Sequence, residues 1–340
     1  MAPGAGESAF NFKQELTPGM DQPILKLDKV SKSYGDFRAV TELSLSMPQG
    51  SICGFLGPNG AGKTTTLRMI LDIIKPTSGA INIFGHASAH AVRQRIGYLP
   101  EEKGLYKKMK AGDVIAYFAM LKGVGFKEAR KLGHALLGKY GLGDFARSKI
   151  EALSKGMAQK VQVIASIAHD PDLVILDEPF SGLDPINQQV LEDLIRDLAV
   201  RGKTVLFSTH VMQHAERLCD HIFLIAKGRK IFDGSITAAK RLLPRRLYVT
   251  VEGDVERLRQ LPGVVSVTTV ASGEEQVHED ARNYIRSCLI DFDETADPNV
   301  ILKFCFENKL PLRHFDQQEP TLHDVFVELV EKQARGGMSA

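Results

Sequence analysis

Three things are scarce in this chain of 340 residues. It has no run of about 18 consecutive apolar residues, so no segment reads as a helical membrane span. Its net charge is only +2, which removes the electrostatic footprint of a nucleic-acid or lipid surface, and no nucleic-acid partner is expected. The four cysteines (Cys53, Cys219, Cys288, Cys305) form no Cys-x-x-Cys pair and mostly fall in apolar patterns, as reduced thiols in a cytoplasm do. The beginning lacks the basic-then-apolar layout of a signal peptide, and residues 1–22 are expected to form a disordered N-terminal extension. What remains is ordinary globular composition, 44% hydrophobic and 25% charged, long enough for one large domain and a smaller one.

Against that plain background stands Gly57-Pro58-Asn59-Gly60-Ala61-Gly62-Lys63-Thr64-Thr65, which fits the pattern Gly, four residues, Gly-Lys-Thr without a mismatch. A polyphosphate needs several backbone N–H groups pointed at it, so the loop must curl tightly. Glycine permits that curl where a side chain would clash or forbid positive φ. A following helix adds its N-terminal N–H groups and the positive end of its dipole. Lys63 can reach terminal phosphates, and the Thr64 hydroxyl can ligate magnesium. The context agrees. Residues 52–56 read as a buried strand before the loop, and Leu67, Met69, Ile70, Leu71, Ile73 and Ile74 predict a helix after it.

Upstream, residues 24–30 and 43–47 alternate as half-buried strands do, and Met47-Pro48-Gln49-Gly50 reads as a hairpin turn, so antiparallel strands should precede a parallel core. Tyr34, in a Ser-Tyr-Gly-Asp turn, either stacks on a purine base or packs on the sheet edge. Residues 81–84 predict a short strand. From 104 to about 165 the texture turns helical, with Val114, Ile115, Phe118 and Leu121 on one apolar face: a helical subdomain inserted into an α/β core. Leu153-Ser154-Lys155-Gly156-Met157 opens a helix there. Ser154 reads as its N-cap or, with Gly156 and the helix-end N–H groups, as part of a second anion site.

Leu173-Val174-Ile175-Leu176 is a continuous apolar run, as expected of a parallel strand buried on both faces. It delivers Asp177 and Glu178 to the strand's carboxyl end, where open α/β sheets bind ligands. Two adjacent carboxylates are costly to desolvate without partners. Behind a phosphate loop, Asp177 can hold magnesium and Glu178 can orient or deprotonate a water. Ser181-Gly182-Leu183-Asp184-Pro185 is a turn whose proline suits a first helical position. Residues 203–207 predict the next buried strand, ending near His210, in the same layer as Asp177. His210 and His214 have the i, i+4 spacing of metal ligands, with Cys219 and His221 nearby, but no motif such as His-Glu-x-x-His accompanies them. From about residue 246 the pattern restarts as β-α-β-β-α-β with a closing helix over about 322–333. That is the order of a ferredoxin-like domain, and it carries no catalytic motif.

In this order the motifs resemble the nucleotide-binding subunit of an ABC transporter, over residues 24–234. Gly57 to Thr64 is similar to the Walker A loop, residues 153–157 to the signature and residues 173–178 to the Walker B strand. Residues 181–184 are similar to the D-loop, His210 to the switch histidine and Tyr34 to the adenine-stacking aromatic. The signature departs from the family's Leu-Ser-Gly-Gly-Gln at Lys155 and Met157, and Glu101 stands where the family's Q-loop has glutamine. The phrasing of residues 97–106, Ser154-Lys155-Gly156-Met157 and Glu319-Pro320-Thr321-Leu322-His323-Asp324-Val325-Phe326 resembles ABC-2-type exporters of the sodium or drug efflux group.

The resemblance implies an α/β fold. A P-loop NTPase core of the ABC type, with an antiparallel β subdomain and an inserted helical subdomain, would span 23–240, and a small α+β ferredoxin-like domain 246–335. It implies ATP and Mg2+ as cofactors, Lys63, Glu178 and His210 as catalytic residues, and Thr64 and Asp177 on the metal. Tyr34, residues 57–65, Glu101, Ser154, Gly156 and Asp184 would contact nucleotide. In the family the signature of one subunit faces the phosphate loop of the other, which implies a homodimer or a heterodimer with a related subunit. The implied function is ATP hydrolysis that powers an exporter, through a polytopic permease on a separate chain at the cytoplasmic face of the cell membrane, with residues 101–108 as the coupling edge. The rival is a soluble ATP-dependent regulator or scaffold not coupled to transport, against which intact Asp177, Glu178 and His210 speak. Selectivity would reside in the permease, so the transported substrate is not written in this chain.

Overall fold

The structure, a computed structural model, describes residues 23–102, 104–252, 255–270, 285–293 and 296–336. The extension expected at 1–22 lies outside them.

The alternating segments become β1 (Leu25–Tyr34) and β2 (Phe37–Met47), paired antiparallel around the tight turn at Gly35. Met47-Pro48-Gln49-Gly50 is not the hairpin turn its composition predicts. It is a crossing between sheets, because the next strand, β3 (Ile52–Leu56), pairs elsewhere. The reason is burial. All five residues of β3 are buried, so it takes a central place in a parallel sheet rather than a half-solvated place beside β2. The phosphate loop leads into α1 (Lys63–Ile70). This helix stops short of residue 74, since Asp72 adopts φ of 60°, a left-handed conformation that no helix continues through. β4 (Ser78–Ile83) then completes a three-stranded antiparallel sheet in the order β2-β1-β4.

β5 (Ile96–Leu99) precedes three helices, α2 (Ala111–Leu121), α3 (Phe126–Lys139) and α4 (Lys155–Ile167). Their buried faces, with Val114 and Ile115 of α2, Ala129 and Leu137 of α3, and Val161 and Ile164 of α4, close into one apolar cluster. The larger unit continues with β6 (Leu173–Asp177), α5 (Pro185–Val200), β7 (Thr204–Thr209), α6 (Met212–Leu218), β8 (His221–Ala226), β9 (Arg229–Gly234) and α7 (Ile236–Lys240). Its six-stranded sheet has the order β5-β6-β7-β3-β8-β9, parallel except for β9. Every residue of β3, β6 and β7 is buried, which is why their central residues are almost all apolar.

The smaller unit contains β10 (Arg245–Glu252), a 3-10 turn at Glu256–Gln260, β11 (Val264–Val270), β12 (Ile285–Phe292), α8 (Asn299–Glu307) and β13 (Leu312–Gln318). Its sheet is antiparallel throughout, in the order β11-β12-β10-β13 of a ferredoxin-like chain, but the first of the two helices expected there is only the five-residue 3-10 turn. One face, with Leu247, Val249, Val251, Cys288, Ile290 and Phe292, packs against Leu258, Ile301 and Cys305. The last helix, α9 (Leu322–Gly336), does not join that core. Leu322 and Val325 are fully buried within the core of the larger unit, with Phe326 and Leu329 packed against it, and the Leu322 N–H donates to the Glu216 carboxylate of α6.

Candidate nucleotide-binding site

Because β6, β7 and β3 are neighbours in the sheet, their carboxyl ends bring the phosphate loop, the acidic pair and His210 into one layer. The parallel register sets Leu56 beside Thr209 and Asp177 beside Ser208. Two glycines of the loop have no alternative. A Cβ at Gly57 would lie 2.2 Å from the Ile225 carbonyl oxygen. Gly62 adopts φ of 99°, and a Cβ there would lie 2.6 Å from the carbonyl of Ala39.

Lys63, the first residue of α1, is 6% exposed. Its Nζ donates to the Gly57 carbonyl at 2.7 Å and the Pro58 carbonyl at 3.2 Å, and it lies 3.2 Å from Glu178 Oε1. His210 Nδ1 lies 3.0 Å from the other oxygen, Oε2. The Glu178 carboxylate is therefore held between the loop lysine and the histidine at the end of β7. Its backbone has φ of 47°, a conformation that costs a non-glycine residue about 1–3 kcal/mol and persists where surrounding structure enforces it.

Asp177 is 1% exposed. Its Oδ1 accepts from Ser208 Oγ at 2.5 Å and from Thr64 Oγ1 at 3.4 Å, while its Oδ2 is buried with no hydrogen-bond partner. Burial pushes the Asp177 carboxyl above the usual carboxylate range, against the hydrogen bonds from Ser208 and Thr64. A buried, unsatisfied carboxylate oxygen beside a threonine hydroxyl is a donor set for a small hard cation, so Thr64 and Asp177 fit magnesium. Ser208 joins the pair, since its Oγ also accepts the Glu178 N–H at 3.0 Å. Sequence reasoning did not single out Ser208. Its only signal is a hydroxyl residue closing an apolar run, which strand ends commonly have.

The remaining residues expected at the nucleotide make other contacts. Ser154 N-caps α4, accepting the Met157 N–H at 3.2 Å, and Asp184 N-caps α5, accepting the Asn187 N–H at 2.9 Å. Asn187 links the two caps. Its side chain donates to Asp184 Oδ2 at 2.6 Å and packs so close to Gly156 that a Cβ there would sit 2.5 Å from Nδ2. Those bonds hold the Asp184 carboxyl below the usual range. Among the described residues, no hydrogen bond or ion pair joins this cluster to the phosphate loop. Tyr34 ends β1 half-exposed, with the Lys32 ammonium 5.1 Å from its ring centre, and Glu101 is exposed. The histidines considered as metal ligands are committed elsewhere. His214 stacks on Phe180, and His221 meets Asp233 at 2.7 Å. No group of three or more His, Cys, Asp or Glu able to hold a metal occurs among the described residues.

Comparison with known proteins places this geometry. Residues 40–181 match the ABC transporter family, and residues 234–330 match the C-terminal domain of DrrA1-3-like ATP-binding proteins. The chain is 37% identical over 308 residues to the ABC transporter ATP-binding protein YhaQ of Bacillus subtilis strain 168, covering 90% of this chain and 98% of that protein. It is 36% identical over 273 residues to the Nod factor export ATP-binding protein I of Ralstonia nicotianae, covering 78% of this chain and 84% of that one. It is also 37% identical over 221 residues to the ABC transporter ATP-binding protein NatA of B. subtilis, covering 63% and 90%. Among solved structures, the ATP-binding subunit of an ABC transporter superposes with a TM-score of 0.59 at 30% identity, covering 64% of this chain and 92% of that one. A dimeric ATP-binding cassette in a post-hydrolysis state with ADP and Pi superposes with a TM-score of 0.58 at 26% identity, covering 62% and 98%. The phosphate loop, the buried acidic pair and the histidine thus sit on the fold of known ATPases, and the chain belongs to the ATP-binding proteins of ABC transporters.

Proposed function

We propose that this chain is the ATP-hydrolysing motor of an ABC exporter, acting at the cytoplasmic face of the cell membrane through a polytopic permease on a separate chain. The observation that carries the reading is the Glu178 carboxylate, fixed between Lys63 Nζ at 3.2 Å and His210 Nδ1 at 3.0 Å beside the Thr64–Asp177 pair. Export rather than import is supported by the relatives whose names specify export. Residues 23–240 would form the ATPase domain, with its helical subdomain over about 104–165, and residues 246–335 the accessory domain, whose last helix α9 docks on the ATPase core.

In this reading residues 57–65 cradle the phosphates of ATP, and Tyr34 stacks on the adenine. Mg2+ held by Thr64 and Asp177 would neutralise phosphate charge. An arriving phosphate competes with Glu178 for the Lys63 ammonium. The exchange leaves Glu178 free to orient and polarise the attacking water, while His210 contacts the terminal phosphate. Ser154, Gly156 and Asp184, which share no hydrogen bond or ion pair with the phosphate loop among the described residues, would meet the nucleotide of a second subunit in a head-to-tail homodimer or heterodimer. Glu101 and the rest of residues 101–108 would face the permease. Hydrolysis removes the phosphate bridge and lets the halves part.

Glu178→Gln tests the assignment. It should slow hydrolysis on the order of 10²–10³-fold while leaving ATP binding intact, and it should accumulate an ATP-bound dimer on size exclusion. Wild-type turnover in that variant would overturn the role of Glu178. Gentle solubilisation of membranes with the tagged chain should recover a polytopic membrane protein at matching stoichiometry. Recovery from the soluble fraction alone would demote transport in favour of a soluble ATP-dependent regulator.

A further inference from the structure

Behind the acidic pair lies a buried polar group that the hydrolytic residues do not use. Glu192 on α5 is 1% exposed and His214 on α6 is 6% exposed. Glu192 Oε1 and His214 Nδ1 face each other at 3.6 Å, and neither atom has a hydrogen-bond partner. Arg196 and Arg217 approach the same carboxylate at 3.6 Å each, from the solvent side. Burial pulls the His214 imidazole below its usual value, against the opposing pull of Glu192. Two aliphatic side chains would fill this space without desolvating a charge, so fold stability alone does not call for the pair.

Its surroundings point to what it does. The His214 ring stacks on Phe180 with centroids 4.1 Å apart and planes 14° from parallel, and Phe180 stands edge-on to Phe207 at 5.8 Å. Phe180 follows Glu178 by two residues, and Phe207 precedes His210 by three. The three rings therefore join α6 to both strand ends that carry the hydrolytic side chains. The turn between Glu178 and Phe180 is held from its other side by Gln159, whose Nε2 donates to the Pro179 carbonyl at 2.6 Å. At the head of that turn stands the left-handed backbone of Glu178.

We propose that His214 and Glu192 are positioning residues for ATP hydrolysis: the Glu192 carboxylate, facing the edge of the His214 ring, biases the orientation of that ring, the ring stacks on Phe180, and the braced turn aims the Glu178 carboxylate between Lys63 and His210. Neither residue touches nucleotide. The inference rests on the hydrolytic reading of Glu178 given above.

Steady-state hydrolysis by the full-length chain tests it, with ATP binding measured in parallel. His214→Leu fills the volume but removes the flat ring, and it should lower kcat about 10-fold with KM for ATP within about twofold of wild type, because misaiming a reacting group affects the chemical step. His214→Phe restores a flat ring and should recover kcat to within about threefold of wild type, a rescue that a purely space-filling role does not give. Glu192→Gln should cost about threefold in kcat, and combined with His214→Leu it should cost no more than His214→Leu alone, since the two act in series. A folded His214→Leu variant with wild-type kcat, or one whose KM rises in step with the loss of kcat, overturns the proposal. Should His214→Leu fail to fold, Glu192→Gln decides: a fall in kcat at constant KM supports positioning, and an unchanged kcat refutes it. Glu178→Gln assayed alongside separates the two readings. If it turns over like wild type, the hydrolytic assignment has failed, whereas if it is inactive and His214→Leu is unaffected, only the positioning role has.

Discussion

Strands β6 and β10 are both rich in branched aliphatics, yet they are put to different uses. In β6 every residue is buried, so no side chain along the strand is free for polar work, and polarity is pushed to the carboxyl end, where Asp177 and Glu178 sit. In β10 buried and partly solvated residues alternate, so polar groups line a whole face. They are spent on one another across the sheet: Arg246 on Asp291 at 2.9 Å, Thr250 on Ser287 at 2.9 Å, and Tyr248 edge-on to His314 at 5.4 Å. The contrast shows why, among the described residues, the candidate site gathers at one edge of the first sheet while the polar groups of the second are paired along a face. A parallel sheet sealed on both faces concentrates uncompensated groups at one edge, and an antiparallel sheet with an open face disperses and pairs them.

The firmest way to break the comparison is at the weld between the two units. Leu322→Ala empties a fully buried position in α9 and should cost about 3 kcal/mol in denaturant unfolding, with the loss expressed in the larger unit although the residue follows the smaller one in sequence. A loss confined to the smaller sheet, read by hydrogen exchange, would contradict that placement. Next in size is Ser208→Ala, which removes the hydroxyl joining Asp177 and Glu178 and should lower kcat about 10–100-fold. Acid provides a smaller effect. His169 Nε2 donates to the Ile96 carbonyl oxygen at 3.1 Å, and burial lowers its pKa from 6.5 to about 4. The fold prefers the neutral ring, so its contribution is complete above the unfolded value and is lost as pH falls from 6.5 toward about 4. Discounted for partial exposure, it amounts to about 1–2 kcal/mol, and exchange rates at acid pH should rise first where α4 meets β5. Thr250→Ala sharpens the contrast from the other side. It removes a hydroxyl pair of the open face, should cost about 1 kcal/mol of stability, and should leave kcat unchanged.

What could be read from the residues follows the same division. The phosphate loop and the run ahead of Asp177 were legible because burial on both faces and a tight anion-binding curl each restrict residue choice severely. The four strands of the smaller unit were legible from alternation, whereas the helix expected after β10 is only a 3-10 turn. The crossing after Met47 was not, because a proline-glycine turn has the same local chemistry whether the chain folds back or departs for another sheet. Nor was the placement of α9, since an amphipathic pattern declares which face is apolar but not which core receives it. Ser208 and the Phe180–His214 stack were hidden for a related reason: they matter through neighbours distant in sequence.

The docking of α9 has a mechanical consequence. The chain departs from α7 and comes back as a helix lying against α6 and α7, so strands β10 to β13 stand on a handle whose two feet rest on adjoining ground. Such a handle can be lengthened or exchanged without rerouting the sheet beneath it. Its second foot, α9, touches α6, which begins two residues after His210.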